Sequence, residues 1–210
     1  MATIDAINEM RTDAPIDGRV GAAALRGVHH TARPTWQLRQ TIEFYRDTLG
    51  LRLVHAISAR GWGRAGHPDF LHFFFESGQG STIAFFYYIG TQRPEWLSPR
   101  IEDWMYRSTH TAWRVDTREE LDAWKQTLEA KGVKVSSIQH ELVDSIYFTD
   151  PNEYPVEITH QRRAFSRLDT LDASLTLQAA VELESSAGGI TDIDAVWRRK
   201  AELVKKLPKI

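Results

Sequence analysis

The chain has no cysteine among its 210 residues, which excludes disulfide bonds and thiolate metal ligands. It also lacks any apolar run near the roughly 20 residues that a transmembrane helix needs. The first residues, Met1-Ala2-Thr3-Ile4-Asp5, show no signal-peptide pattern. The formal net charge of −2 offers no electrostatic reason to expect nucleic acid or an anionic membrane as a partner. We therefore expect a cytoplasmic protein that binds neither nucleic acid nor membrane.

What the chain does contain is a repeated tripeptide, His30-Thr31-Ala32 and His110-Thr111-Ala112. Each copy is followed by apolar residues at helical spacing and then by a glycine that ends the predicted helix, Gly50 or Gly132. The second histidine follows the first by 80 residues, and the second glycine follows the first by 82. Such near-constant offsets indicate duplication of one unit of roughly 75 to 80 residues, which is too long for the usual solenoid repeats.

Each unit is predicted to end in two apolar strands joined by a polar turn, at residues 77–80 in the first unit and 150–152 in the second. The last strand of the second unit carries Glu157 between Val156 and Ile158. Because strand side chains alternate, Glu157 must face away from those two neighbours. The pattern divides the chain into an N-terminal extension (1–22), a first module (23–92), a second module (93–162) and a C-terminal helical tail (163–210).

The two repeated histidines and Glu157 are candidate metal ligands. Two imidazoles and one carboxylate on strands of one curved sheet make a facial ligand set with open positions for water or substrate. A single strand histidine is more often an ordinary polar residue, and His29 competes directly with His30. Strand alternation turns His29 to the other face, and the recurrence of the tripeptide at His110, where no neighbouring histidine competes, selects His30.

Three stretches resemble the vicinal oxygen chelate superfamily, which includes glyoxalase I, bleomycin-resistance proteins and type I extradiol dioxygenases. They are residues 27–32, residues 42–51, and residues 146–152 together with 156–158. The resemblance implies an α+β fold in which paired βαβββ modules form a curved mixed-sheet barrel or bowl around a divalent metal. It also implies that the substrate chelates this metal through two adjacent oxygens. Here a C-terminal helical extension is expected beyond that core.

Within the superfamily, the pattern is most similar to that of the extradiol dioxygenases. Those enzymes have a two-histidine, one-glutamate metal site, which corresponds here to His30, His110 and Glu157. They also have a tyrosine ten residues before the glutamate, which corresponds to Tyr147, and His140 lies near the place of a second active-site histidine. The resemblance therefore implies Fe(II) as the metal, and Tyr147 and His140 as catalytic residues.

Other members of the superfamily stay open as alternatives. Glyoxalase I has a fourth protein ligand where this chain has Ile83 or Ala84, which argues against that activity. Extradiol dioxygenases usually carry a further catalytic histidine where this chain has Ser81, and His72 on the preceding strand is a candidate substitute. A metal-dependent isomerase or lyase would prefer Mn(II), Ni(II), Zn(II) or Co(II). An antibiotic-binding protein would perform no chemistry, and Tyr147 would then be a core aromatic.

The dioxygenase interpretation predicts a planar aromatic substrate, such as a catechol. Several aromatic residues on the predicted strands would offer such a ligand a large apolar surface near the bowl, unless they are ordinary core residues: Phe73, Phe75, Phe85, Tyr87 and Trp113. A homodimer or higher homo-oligomer is also expected. The sequence leaves open whether the three metal ligands meet within one chain or across a swapped dimer.

Overall fold

The structure is a computed structural model that describes residues 19–20, 23–24, 27–187, 190 and 192–207. The described residues form two compact units, Val28–Arg163 and the described parts of 1–27 and 164–210. The N-terminal extension expected over 1–22 lies outside the described residues except for β1 (Arg19–Val20), which pairs antiparallel with β2 (Ala23–Ala24). The boundaries of the four predicted parts stay a prediction.

The first half of the unit Val28–Arg163 is one βαβββ module. Its elements are β3 (His30–Pro34), α1 (Leu38–Glu43, continued by a π-helical turn over Phe44–Thr48), β4 (Leu53–Ala59), β5 (Phe70–Gly78) and β6 (Ser81–Tyr88). The strands form one sheet in the order β3-β6-β5-β4, in which only β3 and β6 run parallel. A short 3₁₀ turn at Glu95–Leu97 follows.

The second half repeats this arrangement. Its elements are α2 (Trp104–Arg107), β7 (Thr111–Val115), α3 (Arg118–Ala130), β8 (Ser136–Gln139), β9 (Val143–Thr149) and β10 (Pro155–Gln161). The sheet order is β7-β10-β9-β8, again with a single parallel pair, β7 and β10. The predicted α+β fold of paired modules is confirmed, and it consists of two four-stranded mixed sheets rather than one closed barrel.

The helix ends follow the local signals in the sequence. Thr117 and Glu120 form a complete capping box at the start of α3, because each side chain accepts a hydrogen bond from the backbone N–H of the other residue. Gly50 and Gly132 follow the helices of the two modules at φ values of 68° and 79°, where a side chain would be strained. Equivalent glycines therefore end equivalent helices, as the repeat predicts.

One hydrophobic core is shared by the two modules. It takes residues from the inner faces of both sheets and from the α1 and α3 segments: Phe44, Tyr45, Leu49, Phe73, Phe75, Ile83, Phe85, Leu121, Leu128, Ile146, Phe148, Val156 and Ile158. Along β10, Val156 and Ile158 enter this core while Glu157 between them faces the other way. Each sheet therefore has an inner face in the core and an outer face that is turned away from it.

A buried polar network joins the two modules at one end of the core. Asn152 accepts a hydrogen bond from the hydroxyl of Thr35 (2.7 Å) and donates one to the hydroxyl of Thr41 (3.0 Å). Tyr45 donates its phenolic hydrogen to Asp150 at 2.9 Å. Burial raises the pKa of Asp150 above its usual value, although the hydrogen bonds that it accepts oppose the rise. The network fixes the position of the turn before β10.

Removing the amide of Asn152 should destabilise the protein strongly. Asn152→Ala deletes the hydrogen bonds that link this residue of the second module to Thr35 and Thr41 of the first, at a fully buried position. We therefore expect the free energy of unfolding to fall by about 2–4 kcal/mol. Urea denaturation would measure the loss. Gln126→Ala, on the exposed face of α3, is the control and should change stability by less than about 0.5 kcal/mol. Equal stability of the two variants would contradict the role of the network.

The second unit contains the predicted helical tail. Its helices are α4 (Arg167–Ala187) and α5 (Ile193–Val204), and they pack through Leu175, Ala179, Val196 and Leu203. Arg199 of α5 also pairs with Glu182 of α4 at 2.6 Å. Within the part of the chain that the structure describes, no helix has both the length and the apolar character that crossing a membrane would require.

Candidate metal and substrate site

The outer face of the second sheet brings His110 and Glu157 into contact. His110 immediately precedes β7, and its Nε2 lies 2.7 Å from Oε2 of Glu157, which is only 6% exposed. Alternation along β10 is what turns this carboxylate out of the core, and the β7–β10 register places Ala112 directly beside it. The carboxylate and the imidazole thus meet because the two strands are parallel neighbours.

The hydrogen bond at Nδ1 of His110 determines whether Nε2 can act as a ligand. Nδ1 lies 3.0 Å from the backbone carbonyl oxygen of Arg107, and a carbonyl can only accept, so Nδ1 carries the hydrogen. In the neutral imidazole, Nε2 then presents a lone pair to a carboxylate oxygen at 2.7 Å. Two acceptors this close need a proton or a cation beside them. A metal-binding histidine is usually held by such a hydrogen bond, so this pair fits a divalent metal.

Tyr147 and His140 extend this contact into a chain of four side chains. Tyr147 of β9 is the direct cross-strand neighbour of Glu157, and its hydroxyl donates to Oε1 at 3.1 Å. Nε2 of His140 lies 2.8 Å from the same hydroxyl. Because a phenol has one hydrogen, it can serve either Glu157 or His140 at one time. The hydroxyl is therefore placed to pass a proton between a group at the carboxylate and His140.

Burial raises the pKa of Tyr147, and the negative charge of Glu157 and its hydrogen bond raise it further. The positive charge of Arg107 acts in the opposite direction. Since the pKa of a tyrosine is already near 10 in water, Tyr147 is a neutral hydroxyl donor at physiological pH.

His30 does not join these residues within one chain. Its side chain is exposed on the first sheet, with Nδ1 2.8 Å from Nδ1 of His29 and its ring edge-on to Phe74 at 5.9 Å. Among the residues described, no three histidine, aspartate or glutamate side chains meet in a way that could hold a metal ion. The assignment of His30, His110 and Glu157 as ligands, and of Tyr147 and His140 as catalytic residues, stays a prediction.

The packing of the modules explains this separation. The inner faces of both sheets enter the shared core, whereas His30 and Glu157 both lie on outer faces. The first sheet has Ala84 in the place of Glu157, because Ala32 pairs with Ala84 just as Ala112 pairs with Glu157. In the same way Phe74 takes the place of Tyr147. The first module thus offers a histidine but neither the carboxylate nor the hydroxyl.

The aromatic residues expected near the bowl belong to the core instead. Phe73, Phe75 and Phe85 are buried, so the expectation that these three offer a surface to a ligand is wrong. Tyr87 and Trp113 are partly buried and pack against the same cluster. Odd-numbered positions of β5 and β6 face inward, a direction that alternation alone does not specify. The outer face carries Phe74, Phe86 and Tyr147 in their place.

His72 and Ser81 have clear local surroundings. His72 stacks on Phe86 with ring centroids 3.6 Å apart, and its Nδ1 donates to the backbone carbonyl of Phe85 at 3.1 Å. Burial lowers the pKa of His72. Ser81 donates to the carbonyl of Gly78 at 2.8 Å and so closes the β5–β6 turn. The hydroxyl that replaces the expected histidine is thus used to hold a turn.

A cavity of about 280 Å³ opens beside Tyr147, and its charged lining was not predicted from the sequence. Arg107 and Lys134 contribute the charge, and Ser136 lies opposite Tyr147 across the β8–β9 pair. The remaining lining residues are Ile101, Val135, Phe148, Thr149, Pro155 and Val156. Arg107 could have been identified as a candidate from the sequence, because it lies three residues before the repeated His110. No sequence pattern marks Lys134.

This chain is similar to solved structures from several organisms. A glyoxylase/bleomycin resistance protein/dioxygenase domain from Frankia sp. EAN1pec is 17% identical over 67% of this chain and 96% of its own, with a TM-score of 0.50. A lactoylglutathione lyase from Agrobacterium tumefaciens is 23% identical over 65% of this chain and 94% of its own, with a TM-score of 0.46. A fosfomycin resistance protein from Listeria monocytogenes is 18% identical over 65% of this chain and 93% of its own, with a TM-score of 0.43.

The curated proteins include no match to this chain. The family model that matches is that of the Glyoxalase/Bleomycin resistance protein/Dioxygenase superfamily, and the match covers residues 27–158. This range holds the first βαβββ module, the second as far as Ile158 in β10, both repeated histidines and Glu157. A match over more than half of the chain, together with the paired modules, shows that this protein belongs to the Glyoxalase/Bleomycin resistance protein/Dioxygenase superfamily.

Proposed function

We propose that this chain is a metal-dependent ring-cleaving dioxygenase of the extradiol type that acts on a catecholic substrate. The observation that carries the proposal is the contact chain His140–Tyr147–Glu157–His110. It puts a proton-transfer pair directly beside two side chains suited to a divalent metal. A non-catalytic binding protein needs neither the buried carboxylate nor the phenol–imidazole contact.

The metal site would be completed by a second copy of the chain. His110 and Glu157 supply two ligands from one copy, and His30 on the outer face of the other copy's first sheet supplies the third. The exposure of His30 supports this arrangement, and so does the finding that no group of three histidine, aspartate or glutamate side chains among the described residues could hold a metal ion within one chain. A two-fold dimer would form two such sites, because each copy offers one half of each.

The residues of this chain handle the substrate's protons. Fe(II) bound at the site would supply chelation of the two adjacent substrate oxygens and activation of dioxygen. Tyr147 donates a hydrogen bond to a substrate oxygen beside Glu157. His140 receives a proton at Nε2 through the phenol and returns it later, which suits an imidazole. The hydrogen bond from His110 to the carbonyl of Arg107 keeps the other ring nitrogen free for the metal.

Metal content is the first test of this proposal. Protein purified without added metal and without oxygen should contain close to one iron per chain by elemental analysis. His110→Ala, Glu157→Ala and His30→Ala should each lose most of it, because each removes one of only three ligands. His67→Ala, at an exposed histidine outside the site, should keep it.

Each alternative function predicts a different metal content. Zinc, nickel or manganese in place of iron would favour an isomerase or lyase. A metal-free wild-type protein would contradict the enzyme and favour a binding protein. With iron bound, catechols should give the yellow ring-fission product in an absorbance assay, and failure across a panel of catechols would refute the dioxygenase.

A further inference from the structure

The cavity beside Tyr147 carries two positive side chains that the proposed chemistry does not use. Arg107 and Lys134 both line it, and its volume is about 280 Å³. We propose that Arg107 and Lys134 form a carboxylate subsite, so that the substrate of this site is an aromatic acid whose carboxylate lies away from its chelating oxygens. The inference deepens the proposed function and rests on it for the reaction, but not for the binding of the anion.

The two cations reach the cavity from different elements. Arg107 is the last residue of α2, and its carbonyl accepts the hydrogen bond that orients His110. Lys134 lies two residues before β8, whose Ser136 is the direct neighbour of Tyr147. The two side chains therefore come from separate places on the second module, and Tyr147 is a further lining residue of the cavity.

Neither cation is neutralised by a nearby carboxylate. Within the part of the chain that the structure describes, Arg107 and Lys134 make no ion pair, whereas neighbouring Arg114 and Arg118 pair with Asp116 and Asp122. Arg107 and Lys134 line the same cavity as Tyr147. Two unpaired cations in one cavity repel each other, and an anionic ligand would relieve the repulsion.

The chemistry of the lining favours a carboxylate on a ring. A guanidinium is a planar fork that binds a carboxylate through two parallel hydrogen bonds, and an ammonium adds charge without fixed geometry. Ile101, Phe148 and Val156 add apolar lining of the kind that packs against an aromatic ring. The cavity is near the lower end of ordinary ligand pockets, at roughly 300 Å³, so a single ring fits better than a fused system.

The test compares a charged ligand with a neutral ligand of the same shape. Fluorine NMR would follow 4-fluorobenzoate and 4-fluorobenzamide binding to metal-free protein, desalted to remove chelator, in a buffer without phosphate. We expect the benzoate to bind at least about tenfold more tightly than the benzamide. Arg107→Gln and Lys134→Gln should each weaken benzoate binding by about tenfold and leave benzamide binding unchanged. Arg64→Gln, at an exposed arginine of the β4–β5 loop, is the matched control and should change neither.

Three results would overturn the subsite: equal binding of the two ligands, no binding of either, or benzoate binding that the Arg107 and Lys134 variants leave intact. Tighter binding of inorganic phosphate than of benzoate at the same residues would also contradict the carboxylate subsite, and would indicate a subsite for a phosphate ester. Melting temperatures within a few degrees of wild type would show that the variants are folded. Because the protein is metal-free, this test can succeed or fail independently of the iron analysis.

Discussion

Mixing two inactive variants should restore activity. His30→Ala and His110→Ala remove ligands from different half-sites, so homodimers of either variant have no complete site and should have no measurable turnover. In a mixed dimer, one site receives both substitutions and the other receives none. Random assortment makes half of the dimers mixed, so about a quarter of wild-type activity and iron content should return.

The matched control combines two variants from the same half-site. His110→Ala with Glu157→Ala leaves every site damaged in every dimer, so this mixture should stay inactive. Co-expression with two different affinity tags would isolate the mixed dimers, and native mass spectrometry would verify their composition. No recovery in verified mixed dimers of the His30 and His110 variants would contradict a site shared between two copies.

Replacing Tyr147 by phenylalanine should separate catalysis from metal binding. The ring and its packing are kept, but the hydroxyl that contacts both Glu157 and His140 is lost. We expect kcat to fall by about two to four orders of magnitude, the usual contribution of a positioned proton donor, while the iron content stays unchanged. Stopped-flow absorbance with a catechol substrate would measure the loss, and Tyr88→Phe is the control.

A His140→Gln variant tests whether the phenol and the imidazole act together. If they form one relay, Tyr147→Phe combined with His140→Gln should be little slower than the slower single variant. Multiplicative losses would indicate two independent functions. A Tyr147→Phe enzyme with normal kcat would mean that this tyrosine is only part of the packing of the outer face.

The two modules differ at the positions where the proposed site lies. Glu157 and Tyr147 are cross-strand neighbours in the second sheet, and the equivalent pair in the first sheet is Ala84 and Phe74. A site built from two first modules would have only histidines and no carboxylate to balance the charge of a metal. In the proposed dimer, pairing a first module with a second module of another copy would provide a facial set of two histidines and one glutamate.

Much of the local structure was predictable from the sequence. The repeat of His-Thr-Ala and of the helix-ending Gly50 and Gly132 predicted two equivalent modules, and both modules have the same strand order. Alternation around Glu157 predicted that its carboxylate would avoid the core, since a strand residue must face away from both of its neighbours. The spacing of ten residues between Tyr147 and Glu157 matches their direct pairing across β9 and β10. These features depend on short-range geometry, which the order of residues specifies.

The tertiary structure decided which face of each sheet is buried. Phe73, Phe75 and Phe85 were expected near a ligand and lie in the core. Alternation along a strand separates two faces of the sheet, but only packing against helices and the other sheet decides which face is buried. Among the described residues, the same packing leaves His30 outside any group of three side chains that could hold a metal ion, and it places Lys134 beside a cavity that no local motif predicts. Contacts between modules are formed by surfaces distant in sequence, so the repeat could identify the two equivalent histidines but not whether they meet within one chain.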